Sequence, residues 1–427
     1  MSYDFRPDEA YARQLDADDP LAGYREQFHI PQRPDGSEII YFLGNSLGLQ
    51  PKRVRALMDQ ELNDWAGLGV DAYFEGTRPW YSYQERFREI GARLVGAKPH
   101  EVVTMNSLTV NLHLMMVTFY RPTKARHKIL MEDAAFPSDT YAVKTQLGYH
   151  GYDPDEALLI VKPRSGEHTI RTEDIEQQVT QNGEQIALVL LGGVNFLTGQ
   201  VFDMPRIAAA AKGQGCVVGY DLAHAVGNVP LQLHDWQVDF AVWCNYKYLN
   251  SGPGALAGCF IHEMHGQNLD LPRFGGWWGN DPDTRFMLHL QPEFIPQGGV
   301  DGWQISSPPI LAMAPIAASY ELFDEVGMPV LRRKSELLTG YLQYLIDQIP
   351  SRRFEVITPR EPASRGCQLS LLMHDGSERL LEALKAEGVV CDFRQPNVIR
   401  AAPVPFYNTF HDVWMFAQVL ARHERTR

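Results

Sequence analysis

No apolar run in the 427 residues reaches the roughly 18 positions that a membrane-spanning helix needs, so no membrane partner is expected. The opening segment, MSYDFRPDEAYARQLDADDP, is polar and acidic and lacks the apolar stretch of a cleavable secretion signal, so a cytoplasmic location is expected. Cysteine is scarce. The five present (Cys216, Cys244, Cys259, Cys367, Cys391) stand singly, several inside apolar runs, which argues against a disulfide framework or a zinc knuckle, and no metal is expected. Positive charge is in deficit: 39 Lys and Arg against 52 Asp and Glu leave a net charge of -13, and basic clusters such as RRKSE at 332–336 are short and balanced by acids. That field opposes a phosphate backbone, so nucleic acid is a poor partner. Internal repeats and low-complexity linkers are also missing.

What is there is length enough for two cores, with 44% hydrophobic residues. Residues 1–48 read as an arm that crosses a body and associates with a smaller domain. From PKRVRALMDQELNDWAGLG onward the pattern alternates, beginning with a second helix over PWYSYQERFREIGARLVGA, then VVTM, then a buried helix in NSLTVNLHLMMVTFY entered at Asn106 or Ser107. KILME, ALLIVKP, IALVLLGG, CVVGYD, VDFAVWC and GALAGCFIHE are short apolar strand candidates, most of them separated by helical segments. Continuous apolar strands between helices imply a sheet covered on both faces. The fold class is therefore α/β: a three-layer, mostly parallel sheet in a large domain over 49–315, with a smaller α+β domain over 316–427. In that smaller unit FEVITP, CQLSLLM and VVCDFR are strand candidates, attached through a long helix near 311–326.

In an open α/β sheet ligands gather at the carboxyl ends of the strands, and CVVGYDLAHA puts Asp221 at such an end with His224 three residues on. Alone, these read equally as a helix cap and a core histidine. After the next strand, NYKYLNSGPG carries Lys247 in an aromatic setting, where a lysine is costly unless it lies at a cleft or is chemically used; a surface lysine in a polar turn is the alternative. An acid after one strand and a lysine after the next are the two groups that pyridoxal 5'-phosphate most needs: an amine for the Schiff base and a carboxylate to keep the pyridine nitrogen protonated. The cofactor also needs a phosphate cradle. Backbone amides at the start of the NSLTVNLH helix and the Thr109 hydroxyl could supply one, or could simply cap the helix. Tyr246 could donate a phenolic hydrogen bond or pack in the core. Phe136 could stack on a flat ring or be an ordinary core aromatic, and Asp139 is open between a helix cap and a cofactor contact.

Nearly the whole chain resembles the kynureninase family, within the aspartate-aminotransferase-like, fold type I group of pyridoxal enzymes. The resemblance is carried by YFLGNSLGLQP at 41–51, MNSLTVNLH at 105–113, AFPSDTYA at 135–142, the DLAHA and YKYLN pair within 219–263, GWWGN at 276–280 and NVIRAAPVPFYNTFHD at 397–412. It implies that Lys247 is the Schiff-base lysine, Asp221 the partner of the pyridine nitrogen, and Tyr246 a phosphate contact and proton donor. His224 would be a buried cofactor-site residue, Leu108 and Thr109 would hold the phosphate, and Phe136 and Asp139 would flank the ring. Trp277 would be a phosphate contact from the other subunit of a homodimer, with Trp278 packing beside it. Ser307, in ISSPP, stands where the family carries Asn or Thr, with a shorter hydroxyl contact. Arg400 would bind the substrate carboxylate, a contact that a guanidinium fork suits, although a surface salt bridge uses the same residue type. Tyr73 and Phe74, in DAYFEGTRPW, fall in the family's aryl-pocket region, without the histidine of vertebrate-type members, which leans toward kynurenine over its 3-hydroxy form. The implied reaction is hydrolysis of L-kynurenine to anthranilate and L-alanine in tryptophan catabolism. Its rivals are an aminotransferase, a cysteine desulfurase (which needs a mobile nucleophilic cysteine) and a noncatalytic sensor on the same scaffold.

Overall fold

A computed structural model of the chain describes residues 4–375 and 377–425. Its strands, in chain order, are β1 (Ile40–Tyr41), β2 (Val102–Met105), β3 (Lys128–Glu132), β4 (Leu158–Val161), β5 (Ile186–Gly192), β6 (Val217–Asp221), β7 (Phe240–Cys244), β8 (Ala257–Ile261), β9 (Phe354–Val356), β10 (Leu369–Met373), β11 (Val389–Val390), β12 (Asp392–Arg394) and β13 (Val398–Ala401).

The seven strands β2 to β8 form one sheet in the order β2-β8-β7-β6-β5-β3-β4. Every neighbouring pair from β4 across to β7 is parallel, and β8 alone runs against its neighbours. The central strands are apolar throughout because both faces are covered. In β7, Phe240 and Val242 pack toward the helix Leu108–Phe119, while Ala241 and Trp243 enter the core on the opposite face, which also takes in the helices Met204–Gly213 and Ile310–Val326. The side-chain period of two thus divides a single run, FAVWC, between two cores.

A second, antiparallel sheet has the order β12-β13-β10-β9 and packs with the helices Met328–Asp347 and Phe410–Arg425 around a third core. Helix Ile310–Val326 belongs to the first core, whose last members in that region are Met328 and Leu331; the third core takes over at Leu338. The arm ties to the smaller sheet's unit. Its helix Glu9–Ala17 lies against the C-terminal helix, where Asp16 accepts the Phe410 and His411 amides, and β1 pairs in parallel with β11.

Two expectations need correction. PWYSYQERFREIGARLVGA is not one α-helix: Trp80–Phe87 is a 3-10 stretch, and the α-helix begins at Arg88 and ends at Val95. Three residues per turn put Trp80 and Tyr83 on one side, where the indole Nε1 and the phenol both donate to the buried Glu61, at 2.9 and 3.1 Å. VVCDFR is two short strands, because the chain passes at Cys391 from pairing with the arm to pairing with β13. Among the described residues no helix is long and apolar enough to cross a membrane.

Candidate active site

Four parallel strands deliver their carboxyl ends to one rim. Across β3, β5, β6 and the segment after β7, that rim carries Glu132, Gly192, Asp221 and Lys247 in a row. Facing the row are the first turn of the helix Leu108–Phe119 and the loop that opens the helix Pro137–Tyr149. Together they line one cavity. Leu108, Thr109, Phe136, Asp139, Asp221, His224, Tyr246 and Lys247 all line it, so the structure gathers eight of the expected residues in one place.

Lys247 Nζ lies 3.1 Å from His224 Nε2 and 5.7 Å from the centre of the Phe136 ring. Burial, followed by the charges of Lys247, Arg400 and Arg394, holds the His224 imidazole well below its ordinary range, which favours the neutral ring. Phe136 stands edge-on to Phe196, with ring centres 5.3 Å apart, leaving a flat face at the cavity.

Asp221 Oδ1 accepts the Ala223 amide at 2.7 Å, so the capping role and the cavity role coexist in one carboxyl. Two further carboxyls crowd it. Burial raises Asp139 well above the usual carboxylate range, helped by the charge of Asp221 and a hydrogen bond to it. Burial also raises Glu132, to about 7, although its Oε1 accepts the Gly192 amide at 3.1 Å. Like charges this close do not all ionise, so Asp139 favours its protonated form and Glu132 is only partly ionised near neutral pH. Asp139 Oδ1, Glu132 Oε2 and His224 Nδ1 have no partner within the chain, which suits a site built around a polar ring.

Ser107 precedes the helix Leu108–Phe119 without a side-chain cap, so the first-turn amides remain free for an anion. Thr109 Oγ1 and Ser138 Oγ stand 3.1 Å apart at the starts of two helices and converge on the same spot. Burial pushes the Tyr246 phenol above its usual range, which keeps it a donor at neutral pH. This donor set fits pyridoxal phosphate: an amine, a carboxylate, a flat face and an anion cradle.

Five expected residues lie outside the cavity lining. Arg400, on β13, is 1% exposed and donates from Nη1 to the Phe196 carbonyl at 2.5 Å, one residue layer behind the wall. Trp277 is 37% exposed and packs on Trp278, with ring centres 5.0 Å apart. Ser307 is half-buried in the loop before helix Ile310–Val326. Tyr73 packs edge-on against Trp80, and Phe74 is exposed beside Tyr81 and Phe286. Sequence reasoning missed Glu132, Ser138 and Phe196. The rule that found Asp221, an acid closing an apolar strand, applies equally to the last residue of KILME. Away from this rim, Glu101, His234 and His262 bring possible ligand atoms within 4.8 Å, but Glu101 Oε1 already accepts the Glu263 amide and His262 Nδ1 the Met264 amide, so the group is a hydrogen-bonded knot.

The architecture is that of the fold type I pyridoxal-phosphate enzymes. Solved cysteine desulfurases from Thermococcus onnurineus NA1 and Escherichia coli superpose with TM-scores of 0.74 and 0.76 over 93% and 94% of this chain and 98% of each of theirs, at 18% and 17% identity. Residues 331–420 match the kynureninase C-terminal domain, and residues 75–234 the DegT/DnrJ/EryC1/StrS aminotransferase family. The chain is 55% identical to the kynureninase of Myxococcus xanthus over 99% of both chains, and 54% identical to that of Koribacter versatilis over 97% of both. It belongs to the kynureninase family.

Proposed function

We propose that this protein hydrolyses L-kynurenine to anthranilate and L-alanine, breaking the bond between the β and γ carbons with pyridoxal 5'-phosphate held at Lys247. The observation that carries the reading is the convergence of Lys247, Asp221 and the Thr109 helix start on one cavity, in a chain of this family. When bound, the cofactor supplies an electron sink for the carbanion formed at the substrate's α carbon.

Each residue then has a task. Asp221 provides the counter-charge for a protonated pyridine. Phe136 would stack on the ring, while Thr109, Ser138 and the amides of Leu108 and Thr109 would hold the phosphate. Lys247 would hold the cofactor and would also move the α proton, and neutral His224 accepts a hydrogen bond from its amine. Tyr246 carries a proton near the γ carbonyl. Water adds its hydroxyl to that carbonyl carbon, which leaves as the anthranilate carboxyl, and the β carbon takes a proton to become the methyl of alanine. Arg400 holds the α-carboxylate.

The desulfurase alternative needs a reactive thiol. Cys216, Cys244, Cys259 and Cys367 are buried, and burial raises Cys367 to about 11 and the half-buried Cys391 to about 12, so none is poised as a thiolate. The working unit in this reading is a homodimer in which Trp277 serves the partner's site. Its support is an uncovered aromatic and aliphatic surface around Trp277, Phe74, Phe286 and Leu290. The test of function is product analysis of the cofactor-loaded protein with L-kynurenine. Equimolar anthranilate and L-alanine are expected, and consumption of the substrate without anthranilate rejects the reading.

A further inference from the structure

Arg400 and Asp392 stand directly opposite each other on neighbouring antiparallel strands, β13 and β12, and Arg394 lies two residues along on the same face. Asp392 Oδ2 accepts from Arg400 Nε at 2.5 Å and from Arg394 Nε at 2.9 Å. Arg400 Nη2 forms an ion pair with that same oxygen but is out of line for a hydrogen bond to it. Nη1 gives one hydrogen to the Phe196 carbonyl. A guanidinium has five N–H donors. The side edge of Arg400, Nε with the near side of Nη2, therefore faces Asp392, while the far hydrogen of Nη2 and one hydrogen of Nη1 make no hydrogen bond within the chain.

Hydrogens left without a hydrogen bond are unusual in a cation 1% exposed, because a buried N–H that meets no acceptor in line is costly even beside a counter-charge. Its surroundings point to a ligand. The Phe196 ring, 5.7 Å from Arg400 Cζ and 5.9 Å from Arg394 Cζ, forms part of the cavity wall and meets Phe136 edge-on. Two arginines share one aspartate, so the group keeps a net positive charge beside the cofactor cavity. The neutral state of His224 already reflects it.

We propose that Asp392 is a positioning residue that clamps the side edge of Arg400 and so presents its end edge to the α-carboxylate of the amino-acid substrate. The inference rests on the reading of Arg400 as the carboxylate-binding residue. An unclamped guanidinium on a flexible stem swings, and Arg394, no longer neutralised by a shared acid, repels it. Removing Asp392 therefore weakens carboxylate binding, even though it removes a nearby negative charge. A bystander acid that merely competed with the substrate for Arg400 has the opposite signature, since its removal tightens binding.

The test uses the cofactor-loaded protein and two probes, L-alanine and L-alaninamide, with dissociation constants read from the change in cofactor absorbance. Asp392→Ala should weaken L-alanine binding on the order of tenfold while leaving L-alaninamide unchanged, the loss expected for one charge-assisted contact. Asp392→Asn, whose amide oxygen still accepts from Nε, should show a smaller loss in the same direction. Thermal melting confirms that each variant is folded, and where the alanine variant is not, the asparagine variant decides. Arg400→Lys is measured alongside. If it loses the preference for the carboxylate while both Asp392 variants bind L-alanine as tightly as the native protein or more tightly, the positioning role is overturned and the role of Arg400 stands. If Arg400→Lys keeps the preference, both fall.

Discussion

The amine of Lys247 stands 3.1 Å from Nε2 of His224, and the imidazole is held neutral by its burial and by that same amine. The pair links the ends of β6 and β7, so the Lys247 amine is oriented by a ring that favours its neutral form. Nitrogen chemical shifts of the imidazole should show the neutral ring of His224 at about pH 6, where an ordinary histidine near 6.5 is mostly charged. A protonated signature there would contradict this arrangement.

In the proposed reaction Asp221 would act on the electronics of the ring rather than on its capture. Asp221→Asn preserves shape and the bond to the Ala223 amide but removes the counter-charge. Cofactor binding should stay within a few-fold, while exchange of the α proton of L-alanine in deuterium oxide slows on the order of 10²-fold. Native exchange rates in the loaded variant would remove Asp221 from this role.

Glu132 makes the site pH-sensitive in the cofactor-free protein. Its carboxyl, ordinarily near 4.5, titrates at about 7 in the fold, so the folded state binds its proton more tightly than the unfolded chain does. The resulting stability is complete below pH 4.5 and is lost as the pH rises through 7. Glu132→Gln cannot ionise and escapes the loss. By about pH 8 it should be more stable than the native protein by roughly 3 kcal/mol, with the gap closing toward pH 5. Melting curves that stay parallel across this range would refute a proton on Glu132.

Trp277 tests the assembly. If it completes a neighbour's site, activity falls as the dimer dissociates on dilution, and Trp277→Ala weakens cofactor retention without disturbing the fold of the single chain. Sedimentation of a fully active monomer at assay concentration would exclude that contribution.

Much of this is legible in the sequence. The apolar runs that end in Asp221 and precede Lys247 are long enough to read as buried strands, and each places its polar residue at a rim by chain direction alone. Glu132 carries the same signal but escaped notice. Its relation to Asp221 depends on β5 lying between β3 and β6, an order of pairing that no local pattern encodes. Ser138 meets Thr109 across 29 positions, and Arg400 meets the cavity wall at the Phe196 carbonyl, 204 positions away. The 3-10 stretch at Trp80–Phe87 was invisible for a related reason: the buried carboxylate of Glu61, from an earlier helix, selects the tighter turn. Local propensity finds elements; contacts distant in sequence choose among their variants.

Every role assigned at the rim depends on Lys247 carrying the cofactor. Borohydride reduction of the loaded protein, followed by proteolysis and mass spectrometry of the peptides, measures this directly. The pyridoxyl mass should fall on Lys247, within the NYKYLN segment, at close to one label per chain. A label found reproducibly on another lysine, with Lys247 unmodified, would contradict the account.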